Sequence, residues 1–183
     1  MLNLVGGQSG QNQFYHLSSG IMGKTWERSL VLVKPDGVKR ALIGAILSKF
    51  ENVGLTVTGI KLIWPDSSRA EKHCESHRDK PFFEGLVGLL TSGPVVALVL
   101  EGAHAVSVIR KIVGATEPKE AIPGTIRGDY CHMSYERSRE RLGVIPNLIH
   151  ASENSTSATA EIAVWFTEDE IVEGYARFDE GVM

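Results

Sequence analysis

The chain has no apolar run of about 18 or more residues, the length needed to cross a bilayer, and no basic stretch leading into an apolar one at its start. Neither a membrane span nor a secretory signal is therefore expected, and the protein is expected to be soluble and cytoplasmic. Basic charge is not in excess: 19 Lys and Arg against 22 Asp and Glu leave a formal net charge of -3. That balance leaves no electrostatic footprint for nucleic acid, which is not an expected partner. Cysteine is scarce, and the spacing of Cys74 and Cys131 matches neither a disulfide framework nor a metal knuckle, so both are taken as idle thiols. His73 and His77 have the i, i+4 spacing of a helical zinc pair but lack the glutamate of the HExxH motif, Cys74 standing in its place, and no metal site is expected there.

What is present is enough for one core. The 183 residues, 43% of them hydrophobic, fit a single domain. Residues 1–24 are rich in Gly, Ser, Gln and Asn without periodicity, and are expected to be a flexible tail, with a cloning vector as one origin for it. Gly23-Lys24-Thr25 resembles the end of a phosphate loop, but no apolar strand precedes it and a strand instead of a helix follows.

From Arg28 the pattern is regular. Ser29 to Lys34 (SLVLVK) predicts a buried strand interrupted by Pro35-Asp36-Gly37, and Leu42, Ile43, Ile46, Leu47 and Phe50 predict an amphipathic helix over about 38–52. A strand from Leu55 to Trp64, two short helices around Pro81, a strand PVVALVL from Pro94 to Leu100, and a helix from His104 to Val113 closed by Gly114 follow. After the turn-rich segment Ala115 to Asp129, Tyr130 to Ser134 is expected as a fourth strand, and Ser152 to Trp165 as a helix opened by a Ser-Glu cap. This alternation predicts an α/β (α+β) sandwich of the ferredoxin-like split βαβ kind, a four-stranded antiparallel sheet covered by helices.

Three features suggest chemistry. Lys34 ends a buried strand, Arg110 and Arg127 lie in or beside a long Gly-Pro loop, and His150 sits in Asn147-Leu148-Ile149-His150-Ala151-Ser152. Singly, each has a bland reading as a solvated cation or a packed histidine. Together, two guanidinium forks, an ammonium and exposed backbone N–H groups suit a polyphosphate. A histidine with small neighbours and one neutral ring nitrogen could attack a γ-phosphorus, splitting a transfer between two nucleotides into two half-reactions. Glu161, on the following helix, is the candidate to fix its tautomer.

From Arg28 onward the sequence resembles the nucleoside diphosphate kinases, through VKPDGV (Val33 to Val38), RDKPFFEGLV (Arg78 to Val87), SGPVVALVLEG (Ser92 to Gly102), PGTIRGDY (Pro123 to Tyr130) and NLIHAS (Asn147 to Ser152). The resemblance implies transfer of the γ-phosphate of a nucleoside triphosphate, typically ATP, to a nucleoside diphosphate by a ping-pong route through phosphorylated His150. It implies that Lys34, Arg110, Thr116, Arg127 and Asn147 bind phosphates and ribose hydroxyls, that the base stacks on Phe82, and that Ser152 and Glu161 orient the imidazole. It further implies Mg2+ bound mainly through the nucleotide phosphates, with no protein metal site, and a homo-oligomer, usually a hexamer made as a trimer of dimers and less often a tetramer.

Three departures accompany it. Cys74 falls where the family usually has a tyrosine, and Glu153 where it usually has aspartate. The connection from Cys131 to Pro146 is longer than usual, an insertion near 135–145 that includes Glu136-Arg137-Ser138-Arg139-Glu140-Arg141. Its plain reading is a longer hairpin or helical turn in solvent; a sharper one has Arg137, Arg139 and Arg141 touching nucleotide or a neighbouring subunit. Two other functions compete with the kinase. A nucleic-acid-binding member of the fold would want aromatic strand faces, which SLVLVK and PVVALVL lack, and a catalytically silent scaffold would have lost site residues that are all present.

Overall fold

Two strands that carry continuous apolar runs, β1 (Trp26–Val33) through Leu30 to Val33 and β3 (Val95–Ala103) through Val95 to Leu100, lie side by side at the centre of a four-stranded sheet. Such strands have two faces to bury, and each face meets its own layer of helices. Val31, Val33, Val96, Leu98 and Leu100 pack with Ile46, Phe50 and Ile109 on one side, while Leu30, Leu32, Val95, Ala97 and Val99 pack with Ala70, Phe83, Val87 and Trp165 on the other. The period-two alternation of strand side chains divides one apolar run into two cores. At about 1.5–3 kcal/mol for each fully buried aliphatic or aromatic side chain, these layers hold the sheet in place.

The computed structural model describes residues 25–141 and 143–174. The tail expected at 1–24 lies outside them. After β1 come α1 (Pro35–Lys39), α2 (Ile43–Glu51), β2 (Thr56–Ile63), α3 (Ser67–His73) and α4 (Phe83–Thr91). β3 leads to α5 (Ala105–Val113), α6 (Ile126–Tyr130), α7 (Tyr135–Arg141), β4 (Ile149–Ala151) and α8 (Ser155–Trp165). The strand order is β2-β3-β1-β4 and every pairing is antiparallel, which is the ferredoxin-like arrangement the alternation predicts. Among the described residues no helix is long and apolar enough to cross a membrane.

Three local expectations change, and the helical reading of the insertion holds. The helix expected over 38–52 is two helices, because Ala41 takes a left-handed conformation, φ 57°, between α1 and α2. The fourth strand is Ile149–Ala151, not Tyr130 to Ser134: Thr125 caps α6 by accepting from Gly128 N, and that helix absorbs Tyr130. The last helix starts at Ser155, capped by Asn154, whose side chain accepts from Ser157 N; Ser152 is drawn into the sheet instead. The insertion carries the one-turn-and-more helix α7, on which Arg137 pairs with Glu140 at 2.9 Å.

Candidate active site

The chain leaves β1 at Lys34, whose backbone N–H donates to Leu148 O at 2.8 Å. Lys34 is only 7% exposed, and its Nζ donates to Asn147 Oδ1 at 2.6 Å. Burial pushes its pKa down to about 8, with Asp36 opposing and the Arg127 charge adding to the fall. Asn147 in turn donates from Nδ2 to Thr116 O at 2.7 Å, tying the long loop to the end of β1. Arg127, on α6, is buried, and its guanidinium donates to Asn147 O at 3.2 Å, Gly114 O at 2.9 Å and Ile149 O at 2.7 Å. Burial pushes it down to about 10, and the nearby charge of Arg110, exposed on α5, acts in the same direction. Lys34, Arg110, Thr116, Arg127 and Asn147 are thus gathered around one corner of the sheet. Phe82 stands at the start of α4, 41% exposed, with the His77 ring 5.7 Å away.

The backbone between Asn147 and His150 is held tightly. Leu148 has φ 69°, a conformation that costs a side-chain-bearing residue about 1–3 kcal/mol. It persists because its N–H donates to Asp36 Oδ2 at 2.8 Å while its carbonyl takes Lys34 N. Gly37 makes the approach possible: a Cβ there would lie 2.9 Å from Leu148 O and 2.9 Å from Val33 Cγ1. The Pro-Asp-Gly turn after β1 therefore positions the strand that carries the histidine.

His150 lies on β4 opposite Leu32. Its Nε2 is 2.9 Å from Glu161 Oε2, and Ser152 Oγ donates to the same oxygen at 2.7 Å. Ser152 is fully buried and accepts from Leu30 N at 3.1 Å, so its hydroxyl is fixed by the sheet. Burial alone would raise the Glu161 carboxyl; the hydrogen bond and charge of His150, with the Ser152 hydroxyl, outweigh it and hold the pKa below the usual carboxylate value. A carboxylate only accepts, so the ring proton of His150 sits on Nε2 and Nδ1 keeps a lone pair. The side chain is 30% exposed, so the ring is not sealed from solvent.

A partly exposed histidine, oriented by a carboxylate and set beside buried and exposed cations, has the chemistry that moving phosphoryl groups requires. The family model for nucleoside diphosphate kinase matches residues 27–171. The chain belongs to the nucleoside diphosphate kinase family. A nucleoside diphosphate kinase of Pyrococcus horikoshii is 51% identical over 147 residues, covering 80% of this chain and 89% of the relative. One from Archaeoglobus fulgidus is 48% identical over 154 residues, covering 84% and 95%. Among solved structures, a transition-state mimic of the Borrelia burgdorferi nucleoside-diphosphate kinase with bound vanadate and ADP has a TM-score of 0.83 at 42% identity, covering 86% of this chain and 96% of that one. A halophilic enzyme from Halobacterium salinarum in complex with CDP has a TM-score of 0.76 at 45% identity, covering 85% and 97%.

Sequence reasoning about this kinase passed over three residues that the structure brings to the site: Asp36, His73 and Trp165. Asp36 was visible only as part of a turn. α3 stops at His73 and a 3-10 turn, Glu75–His77, follows, so the two histidines do not share one α-helix. His73 instead meets the His150 ring, and Trp165 Nε1 donates to His73 Nδ1 at 3.3 Å. His73, His150 and Glu161 offer three ligand atoms within 4.8 Å of one another. Glu161 Oε2 is already committed to His150 Nε2 and Ser152 Oγ, and His73 Nδ1 to Trp165, so the group is described as a hydrogen-bonded cluster. Cys74, at the family's usual tyrosine position, is a buried apolar filler whose thiol burial pushes up to about 11.

Proposed function

We propose that this nucleoside diphosphate kinase works through Nδ1 of His150. The observation that carries the proposal is the contact of Glu161 Oε2 with Nε2, 2.9 Å, which commits one ring nitrogen and frees the other. In the first half-reaction a new Nδ1–P bond forms as the bond from the γ-phosphorus to the bridging oxygen breaks, and the nucleoside diphosphate leaves with the electron pair. In the second, a terminal phosphate oxygen of another nucleoside diphosphate attacks the same phosphorus and returns the lone pair to Nδ1. Glu161 compensates the positive charge the ring acquires while Nε2 keeps its proton, and Ser152 holds the carboxylate still.

Lys34, Arg110 and Arg127 neutralise the phosphate oxygens, Asn147 and Thr116 complete the phosphate and ribose contacts, and Phe82 offers an exposed face for stacking any base. Asp36 gives Oδ2 to Leu148 N and keeps Oδ1 buried out of solvent reach without a partner, and Glu161 gives Oε2 to His150 and Ser152. Mg2+ therefore enters as part of the nucleotide substrate, held on phosphate oxygens. Intact-mass measurement after brief exposure to ATP and Mg2+ tests the scheme: one acid-labile phosphoryl group, discharged by GDP to yield GTP, is the expected result, and a folded protein with neither adduct nor GTP would sink it.

The depressed pKa of Lys34 gives a pH dependence. Below about 8 the ammonium is charged and holds phosphate; as pH rises through that value the free enzyme loses the charge. The KM for nucleotide is expected to climb on the alkaline side while the rate at saturation changes less, and Lys34→Arg should flatten that limb, a guanidinium keeping its proton throughout.

We also place the protein in the cytoplasm as a homo-oligomer, with the family resemblance favouring a hexamer of three dimers. Support for self-association comes from β2, an edge strand with Ile60 and Leu62 exposed by 54% and 64%, and from Trp64 just past its end, exposed by 66%. An apolar strand edge invites pairing. Leu62→Glu should lower the assembly's mass in light scattering, and unchanged mass would assign the contact to another face.

A further inference from the structure

One face of α8 holds two histidines. Glu161 and Trp165 are one helical turn apart; Glu161 takes Nε2 of His150, and Trp165 donates to Nδ1 of His73. An indole nitrogen can only donate, so His73 Nδ1 must accept and the His73 proton lies on Nε2. Trp165 is 1% exposed and cannot drift, so the ring it anchors is fixed too. That ring stands edge to face with His150, centroids 4.4 Å apart and planes at 88°.

The mechanism proposed above makes no use of His73. A single hydrogen bond at Nε2 still tolerates rotation of the His150 ring about its Cβ–Cγ bond, and such rotation swings Nδ1. A perpendicular ring in contact blocks it. We propose that His73 is a positioning residue for phosphoryl transfer, oriented by Trp165 and packed against His150 so that Nδ1 keeps one direction. Burial, followed by the charge of His150, pushes His73 down to about 3, with Glu161 opposing and His77 adding to the fall. It therefore stays neutral and sets no second cation beside a ring that becomes positive during transfer.

The inference rests on His150 being the nucleophile, and the test separates the two. Single-turnover formation of phosphohistidine from MgATP is followed in the wild type, His73→Ala, His73→Phe and Trp165→Phe, with the phosphoryl group mapped by peptide mass. His73→Ala should lose roughly ten-fold or more in the rate at saturating nucleotide with nucleotide affinity changed less than about two-fold, the signature of lost orientation. His73→Phe, which keeps a flat ring, should recover most of the rate, and Trp165→Phe should fall between and give a mixture of His73 tautomers by 15N NMR. Should His73→Ala not fold, His73→Leu, which fills space without a flat edge, is judged by the same criteria. A wild-type rate in the alanine or leucine variant, or a loss confined to nucleotide affinity, overturns the positioning role. Phosphate mapped to a residue other than His150 overturns the nucleophile assignment, and this inference with it.

Discussion

His150→Ala should form no phosphoenzyme and should lose about 10⁴-fold or more in turnover, because no other group at the site can take the covalent role. The variant should nevertheless fold. Its strand is held by backbone pairing of β4 to β1, with Leu32 opposite position 150, which does not depend on the ring. A thermal midpoint within a few degrees of the wild type would show that the loss is chemical. The measurement is the γ-phosphate exchange rate from ATP to GDP, alongside intact mass. A loss of only ten-fold with the fold intact would mean that phosphate passes directly between two bound nucleotides, and would remove the histidine from the reaction path. Glu161→Gln is the informative companion: the amide can still occupy the place of the carboxylate but brings no negative charge, so phosphoenzyme should form more slowly instead of failing to form.

The central strands were legible because their physics is local: SLVLVK and PVVALVL are apolar on both faces, and only a strand between two helical layers uses such a run. β4 was not. It has three residues, its pairing depends on β1 far away in sequence, and the left-handed Leu148 before it has no sequence signature, since leucine ordinarily avoids that conformation. The same holds at Ala41, which divided a helix that periodicity joined. At Ser152 a sound capping rule lost to a tertiary contact, the serine being claimed by Glu161 and Leu30 while Asn154 capped the helix. The i, i+4 spacing of His73 and His77 carried no metal expectation, and the structure ends α3 at the first histidine. Within the site, cations beside a loop announced an anion, and His150 with Glu161 announced a tautomer. Thr116 and Asn147 came from the family resemblance alone, because nothing in a lone threonine or asparagine signals that it will bridge a loop to a strand.

Arg110 and Arg127 looked alike in the sequence, and their alanine variants should behave differently. Arg127 is buried beneath β4 and donates to three carbonyls, those of Gly114, Asn147 and Ile149, two of which flank the left-handed Leu148. Removing the guanidinium takes a donor from all three where water has little access, Asn147 O keeping only its bond from Ile149 N, and an uncompensated buried acceptor costs about 1–3 kcal/mol. Partial relaxation brings the sum to about 3–5 kcal/mol, which for a chain of this size lowers the thermal midpoint by roughly 10 °C. Because Asn147 and Ile149 border the histidine, Arg127→Ala should also cut turnover at saturating nucleotide, by about 10²-fold or more, in addition to raising KM. Arg110 is exposed on α5, so Arg110→Ala should leave the midpoint unchanged and lose activity only through weaker phosphate contact. Lysine at 127 restores charge but not the planar fork that reaches three carbonyls, and should recover little of the stability. Denaturation curves beside steady-state kinetics decide the matter. Equal stability of the two alanine variants would mean that the Arg127 clamp contributes nothing to holding the histidine strand, and that both arginines serve the phosphates alone.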